Sequence, residues 1–192
     1  MSQAFKAALA AAVLIGFTGA AGAQVTCGNT AKGFDKFLRA FHKEAVATGL
    51  GAEALAALDG VQYDPGIVKK DRAQNIFSIS FLDFQAKMVR PDRIVNGGKI
   101  IEKYKPLFSA VEKKYGVPPA VIAAFWALET EYGGNIGNLP TVQSLATLAW
   151  DCRRPDKFRE QLMGALSLVD KNDIPLEDMR GAWAGEIGHT QF

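Results

Sequence analysis

Apolar positions recur at helical intervals along most of this chain. Over 33–48, Phe34, Phe37, Leu38, Phe41 and Ala45 share one stripe, which predicts an amphipathic helix ended by Gly49. Residues 52–58 read as a short alanine–leucine helix ending near Gly60, and Tyr63-Asp64-Pro65-Gly66 as a turn. The run Ser78-Ile79-Ser80-Phe81-Leu82-Asp83-Phe84 alternates enough to fit a strand, yet its surroundings are helical, so both readings stay open. Asp92 can cap a helix in which Ile100, Ile101, Tyr104, Leu107, Phe108, Val111 and Tyr115 recur. Pro106 removes a backbone donor inside that pattern and predicts a kink or restart. Thr141 is positioned to cap an apolar helix over 142–150. Phe158, Leu162, Ala165, Leu166 and Val169 then mark another amphipathic helix, and the glycine-rich segment 181–192 reads as loop. With no series of strands, the fold class is mainly α.

One stretch departs from this amphipathic rule. Val121-Ile122-Ala123-Ala124-Phe125-Trp126-Ala127-Leu128 is apolar on every side, which predicts a buried helix. Gly116 suits the end of the preceding helix, a proline suits the first position of this one, and Gly133 and Gly134 stop it. At its end stands Glu129. Burial in an apolar site favours the protonated form of a glutamate, the form that a general acid needs. Phe125, Trp126, Tyr132 and Gly133 lie three or four residues away and share its face. An acid among aromatics, with glycines opening space beside it, suits a sugar site. Glu131 is two residues on and points elsewhere, so it is not the second carboxylate of a pair. The residues also admit a plainer reading, a core helix whose glutamate caps a loop or meets an arginine.

Composition narrows the class. The 192 residues are 48% hydrophobic and 22% charged, as in one globular domain with an extension. A net charge of +2, without basic runs interleaved with aromatics, excludes a nucleic-acid binder. Lys6, the short apolar run 7–17 and the small residues Ala21-Gly22-Ala23 predict a signal peptide over 1–23, cleaved after Ala23. The remainder, 24–192, is then a soluble, exported domain without stable membrane insertion. Two histidines, His42 and His189, and two widely spaced cysteines exclude a zinc motif. Asp170-Lys171-Asn172-Asp173-Ile174-Pro175 fails as a calcium loop because Ile174 and Pro175 stand where a ligand and a glycine belong. No metal and no cofactor is expected. In an oxidising compartment Cys27 and Cys152 can form at most one bridge, and we expect it to form.

The run Tyr115-Gly116-Val117-Pro118-Pro119, followed by Phe125-Trp126-Ala127-Leu128-Glu129-Thr130-Glu131-Tyr132-Gly133, resembles the signature of the membrane-bound lytic murein transglycosylase B family. Three further motifs follow in order: Ser144-Leu145-Ala146-Thr147-Leu148-Ala149, then Arg153-Arg154 with Phe158, then Gly181-Ala182-Trp183-Ala184-Gly185 through Gly188-His189-Thr190-Gln191-Phe192. The resemblance implies a lysozyme-like, mainly α fold. It implies cleavage of the β-1,4 bond from N-acetylmuramic acid to N-acetylglucosamine, leaving a 1,6-anhydromuramoyl end. Glu129 is then the single acid/base, and peptidoglycan glycan strands are the partner. Gln191 matches a substrate-contacting glutamine, and Arg153 and Arg154 match an arginine pair facing the glycan and its acidic stem. Trp126 and Tyr132 are candidate sugar platforms or core residues. Ala182 stands where many members have serine, and the mature start lacks the cysteine arrangement of lipid-anchored relatives. The resemblance also implies that the catalytic domain over 24–192 is incomplete, its C-terminal part lying past Phe192. A catalytically silent murein-binding module and a lysozyme-type hydrolase are the competing readings.

Overall fold

The computed structural model describes residues 27–74 and 78–191; the expected signal peptide and its cleavage site lie outside them. Helices dominate, as the periodicity predicts. They are α1 (Phe34–Ala47), α2 (Ala52–Ala56), α3 (Pro65–Arg72), α4 (Phe81–Met88), α5 (Pro91–Lys103), α6 (Lys105–Tyr115), α7 (Pro119–Thr130), α8 (Thr141–Trp150) and α9 (Pro155–Asp170). A two-residue strand, β1 (Leu139–Pro140), pairs antiparallel with β2 (Arg180–Gly181). Proline opens five helices: Pro65, Pro91, Pro106, Pro119 and Pro155 each occupy a first-turn position, where the missing N–H costs no hydrogen bond.

Two expectations are refined by local chemistry. The ambiguous run becomes helix α4 because the Ser80 hydroxyl accepts from the Asp83 N–H at 3.2 Å. The helix expected to start at Asp92 starts at Pro91 behind Arg90 and divides at Tyr104, so that Pro106 falls in the first turn of α6. Thr141 does not cap α8. Pro140 holds the cap position, and the Thr141 hydroxyl is buried without a hydrogen-bond partner.

The main core forms between α1, α2, α3, α8 and α9. Phe34, Phe37, Phe41 and Ala45 are buried, as their stripe predicts. Every residue of α8 except Gln143 is buried, so α8 is the central helix. The start of the described chain is fastened to the C-terminal end of α8: Cys27 is bonded to Cys152, and Gly28 donates to the Trp150 carbonyl at 2.9 Å. Trp150 Nε1 donates to the Thr30 carbonyl at 2.7 Å. A side chain at Gly28 has no room, since its Cβ falls 2.2 Å from the Trp150 ring.

Helices α5, α6 and α7 pack on one another beside this core. Here a sequence expectation is corrected. Helix α7 is not buried all round: only Ala123, Ala127 and Thr130 are enclosed, while Val121, Phe125 and Leu128 are 43%, 62% and 46% exposed. Its enclosed residues are small, Trp126 is half-buried, and Val121, Phe125 and Leu128 face outward.

A charge cluster lies under the α8–α9 connection. Asp71 is 1% exposed and meets Arg72 Nη1 at 2.9 Å, Arg153 Nη1 at 2.7 Å and Arg154. Arg72 Nη2 also meets both oxygens of buried Asp151 at 2.9 Å. Burial raises the Asp71 pKa, but the bonds from Arg153 and Arg154 outweigh it and hold the carboxyl below its ordinary value. A depressed folded-state value means that the stabilisation is present above the unfolded value, near pH 3.9, and is lost as pH falls through the folded one. Asp71→Asn is expected to lower stability by about 2–3 kcal/mol, below the usual cost of breaking a buried pair because the arginines stay part-exposed. Urea titration at neutral pH checks this. Reducing Cys27–Cys152, which spans 125 residues, is expected to cost about 4–5 kcal/mol by chain entropy, read from unfolding midpoints with and without reductant.

Candidate active site at the end of helix seven

Helix α7 ends abruptly. Thr130 is its last residue, and Glu131, Tyr132 and Gly133 follow with φ of 49°, 60° and 88°. Two consecutive non-glycine residues in the left-handed region persist only where their surroundings hold them. On one side the holder is Arg93, from α5. Its guanidinium bonds to the Glu131 carboxylate and donates to the Met88 carbonyl at 2.6 Å, while its own carbonyl accepts from the Tyr132 hydroxyl at 2.7 Å. Arg90 adds a bond to Glu131 at 3.1 Å. The Tyr132 ring closes this side tightly, since a Cβ at Gly97 would lie 2.8 Å from its hydroxyl.

On the other side the holder is the loop carrying His189. Thr130 is fully buried, and its hydroxyl lies 2.8 Å from the His189 carbonyl, to which it donates. The Gly133 N–H donates to that hydroxyl at 3.1 Å. Trp126 Nε1 donates to His189 Nδ1 at 3.0 Å. Trp126 also packs edge-on against Tyr132 and tilted against Tyr104, with centroids 5.9 and 6.2 Å apart. Trp126 and Tyr132 therefore serve the packing of this turn.

Glu129 precedes the turn and is exposed, which corrects the buried setting expected from its greasy neighbours. Among the described residues it makes no hydrogen bond or ion pair. Glu131 is turned to Arg90 and Arg93, so the two carboxylates do not form a pair. Gln191, with φ of 55°, donates from Nε2 to the carbonyls of Gly188 at 2.9 Å and Ile136 at 3.3 Å, which braces its own loop. Arg153 and Arg154 stand apart from this group, on Asp71. Arg154 also lines a polar cavity of about 180 Å³ with Gln74, Lys157, Gln161, Trp183 and Glu186, and its Nε is buried without a hydrogen-bond partner.

Two apolar cavities flank α7. One of about 260 Å³ lies toward α4 and α5, against Met88, Ile94, Ile101 and Leu128; one of about 510 Å³ lies toward α6, against Leu107, Phe125, Trp126 and His189. Glu129 is outside the lining of both. Sequence reasoning missed Arg93, Thr130 and Asp71. Only Asp71 left a signal: it follows buried Ile67 by four residues on the same helix face.

Fold and site together define a helical protein with one carboxylate standing at the end of a clamped helix. The chain matches the family described as Transglycosylase SLT domain over residues 33–192, and it belongs to that family. It is 31% identical over 115 residues to the membrane-bound lytic murein transglycosylase B of Escherichia coli K12, covering 59% of this chain and 32% of that protein. It is similar to SltB3 of Pseudomonas aeruginosa, solved in complex with NAG-anhNAM-pentapeptide, with a TM-score of 0.77, 34% identity, and coverage of 83% of this chain and 43% of that one. The Escherichia coli lytic transglycosylase Slt35 shares the fold, with a TM-score of 0.70 at 23% identity over 81% of this chain and 50% of that one. The chain thus spans half or less of the length of these relatives. Among the described residues no helix is long and apolar enough to cross a membrane.

The Arg93 guanidinium holds the Glu131 carboxyl below its ordinary pKa, against the opposing effect of burial. Its contribution is present above the ordinary glutamate range, near pH 4.3, and is lost as pH falls through the lowered value. Glu131→Gln is expected to destabilise at pH 7 and to flatten the fall in stability between pH 5 and pH 3. Thermal melts of both proteins across that range provide the measurement.

Proposed function

We propose that this chain acts on peptidoglycan as a periplasmic lytic transglycosylase, with Glu129 as the single acid/base. The observation that carries the reading is the division of labour between the two carboxylates of the turn: Glu131 is bound by two arginines, and Glu129 is left to react. Cleavage that ends in water needs, in most glycosidases, a second carboxylate as base or nucleophile. A transglycosylase needs none, because the substrate supplies both the charge stabiliser and the nucleophile. Glu129 protonates the glycosidic oxygen as its bond to C1 of N-acetylmuramic acid breaks. The N-acetyl carbonyl of the same sugar stabilises the positive charge at C1. The Glu129 carboxylate then takes the proton from the C6 hydroxyl, whose oxygen bonds to C1. The 1,6-anhydro ring closes, and the carboxylic acid is restored.

Similarity to SltB3, whose complex holds an anhydro-sugar pentapeptide, supports the same substrate class. The polar cavity at Arg154 supports a place for the acidic stem peptide, with Arg153 and Arg154 retaining part-exposed guanidinium groups above Asp71. Gln191 sits in the loop clamped to α7 and is the candidate to contact the glycan there. The exposure of Glu129 favours one second reading, a hydrolase in which water takes the place of the C6 hydroxyl. Glu129→Gln keeps the side-chain shape and removes the transferable proton. It is expected to lower the rate of murein solubilisation by about 10²–10⁴-fold or more while leaving the melting temperature close to that of the parent. Activity within a few-fold of the parent would overturn the assignment.

A further inference from the structure

The loop that carries Gln191 meets α7 through His189, and four observations converge on that residue. Trp126 Nε1 can only donate, so the 3.0 Å contact requires an unprotonated Nδ1 on His189 and places the imidazole proton on Nε2. The two rings meet edge to face at 5.5 Å. The His189 carbonyl accepts from Thr130, the residue after Glu129. Gly133, with φ of 88°, lies against the imidazole so closely that a Cβ there would fall 2.3 Å from His189 Cε1. A side chain at 133 would therefore be strained by its backbone and would also displace the ring.

We infer that His189 is a positioning residue: as the neutral Nε2–H tautomer it latches the loop 188–191 to the Glu129 end of α7 and fixes the Trp126 ring. The inference rests on the reading of Glu129 as the reacting carboxylate. Through its backbone carbonyl His189 holds Thr130, and through its ring it holds Trp126, so two residues of the last turn of α7 are referred to one residue of the loop. Two residues further on, Gln191 is carried to a fixed place beside that turn. An imidazolium has no lone pair for the indole N–H, so protonation releases the latch. The lining of the adjacent cavity (Tyr104, Leu107, Phe108, Ile122, Phe125, Trp126 and Thr190) offers no charge to oppose this, Tyr104 being its one other titratable group. The acids at the end of α7 are Glu129, which is exposed, and Glu131, which follows the helix and is held by Arg90 and Arg93.

The test uses the whole chain, labelled with nitrogen-15, and follows the indole N–H resonance of Trp126, assigned by its loss in Trp126→Phe. Asparagine places its carbonyl oxygen near the position of Nδ1, whereas leucine offers no acceptor. His189→Leu is expected to shift the Trp126 resonance and to lower kcat for murein solubilisation by about 10–100-fold, the scale of a small misplacement at a reacting centre. His189→Asn is expected to keep the resonance near its parental position and the rate within about threefold, since one neutral hydrogen bond is retained. Acid titration of the parent is expected to shift the indole resonance together with protonation of His189, a coupling absent in His189→Asn. An indole resonance indifferent to His189→Leu, or equal losses of rate in the leucine and asparagine variants, would overturn the latch. A parent chain that cleaves no murein yet shows the coupled titration would overturn the enzymatic reading and leave the latch standing.

Discussion

The candidate site depends on a backbone constraint. Helix α7 stops at Thr130, and the next three residues adopt left-handed conformations that two of them, Glu131 and Tyr132, reach only at a cost. The compensation comes from both flanks. Arg93 binds the side chain of Glu131 and, through its carbonyl, the hydroxyl of Tyr132; Thr130 and Trp126 are tied to the His189 loop. With both neighbours engaged in this way, the backbone of Glu129 is held at the helix end, and among the described residues its carboxylate makes no hydrogen bond or ion pair. A general acid needs that combination, because a carboxylate already paired to an arginine is a poor proton donor.

A second group of charges secures the frame behind the site. Asp71 and Asp151 are each almost fully buried, and Arg72 bridges them while Arg153 and Arg154 close over Asp71. The Cys27–Cys152 bond ends in the same connection, so the turn between α8 and α9 is held by charge and by a covalent tie. This arrangement gives the arginine pair a structural task in addition to the proposed one at the stem peptide.

Local features were well written in the sequence. The proline start of α7, the end of α6 at left-handed Gly116 and the stripe of α1 all follow from short-range rules, whereas Pro65, read as part of a turn, opens α3, and α5 starts at Pro91 ahead of Asp92. The position of Glu129 at the end of an apolar helix was legible in the same way. Its burial was not, because an apolar helix states how much it would gain from neighbours and not how many it has. Helix α7 encloses only Ala123, Ala127 and Thr130, with Trp126 half-buried beside them, whereas α8, with more polar residues, is buried at every position but Gln143. The clamps were illegible for a different reason. Arg93 reaches Glu131 across 38 residues and His189 reaches Trp126 across 63, so no spacing rule connects them.

The central claim is that one carboxylate performs both proton transfers and that the sugar's own C6 hydroxyl attacks C1. Mass spectrometry of the muropeptides released from purified murein tests it most directly. The account predicts products lighter by one water than hydrolytic fragments, each ending in a 1,6-anhydromuramoyl group that resists borohydride reduction. Reducing ends in place of anhydro ends would contradict it and would assign the C1 attack to water.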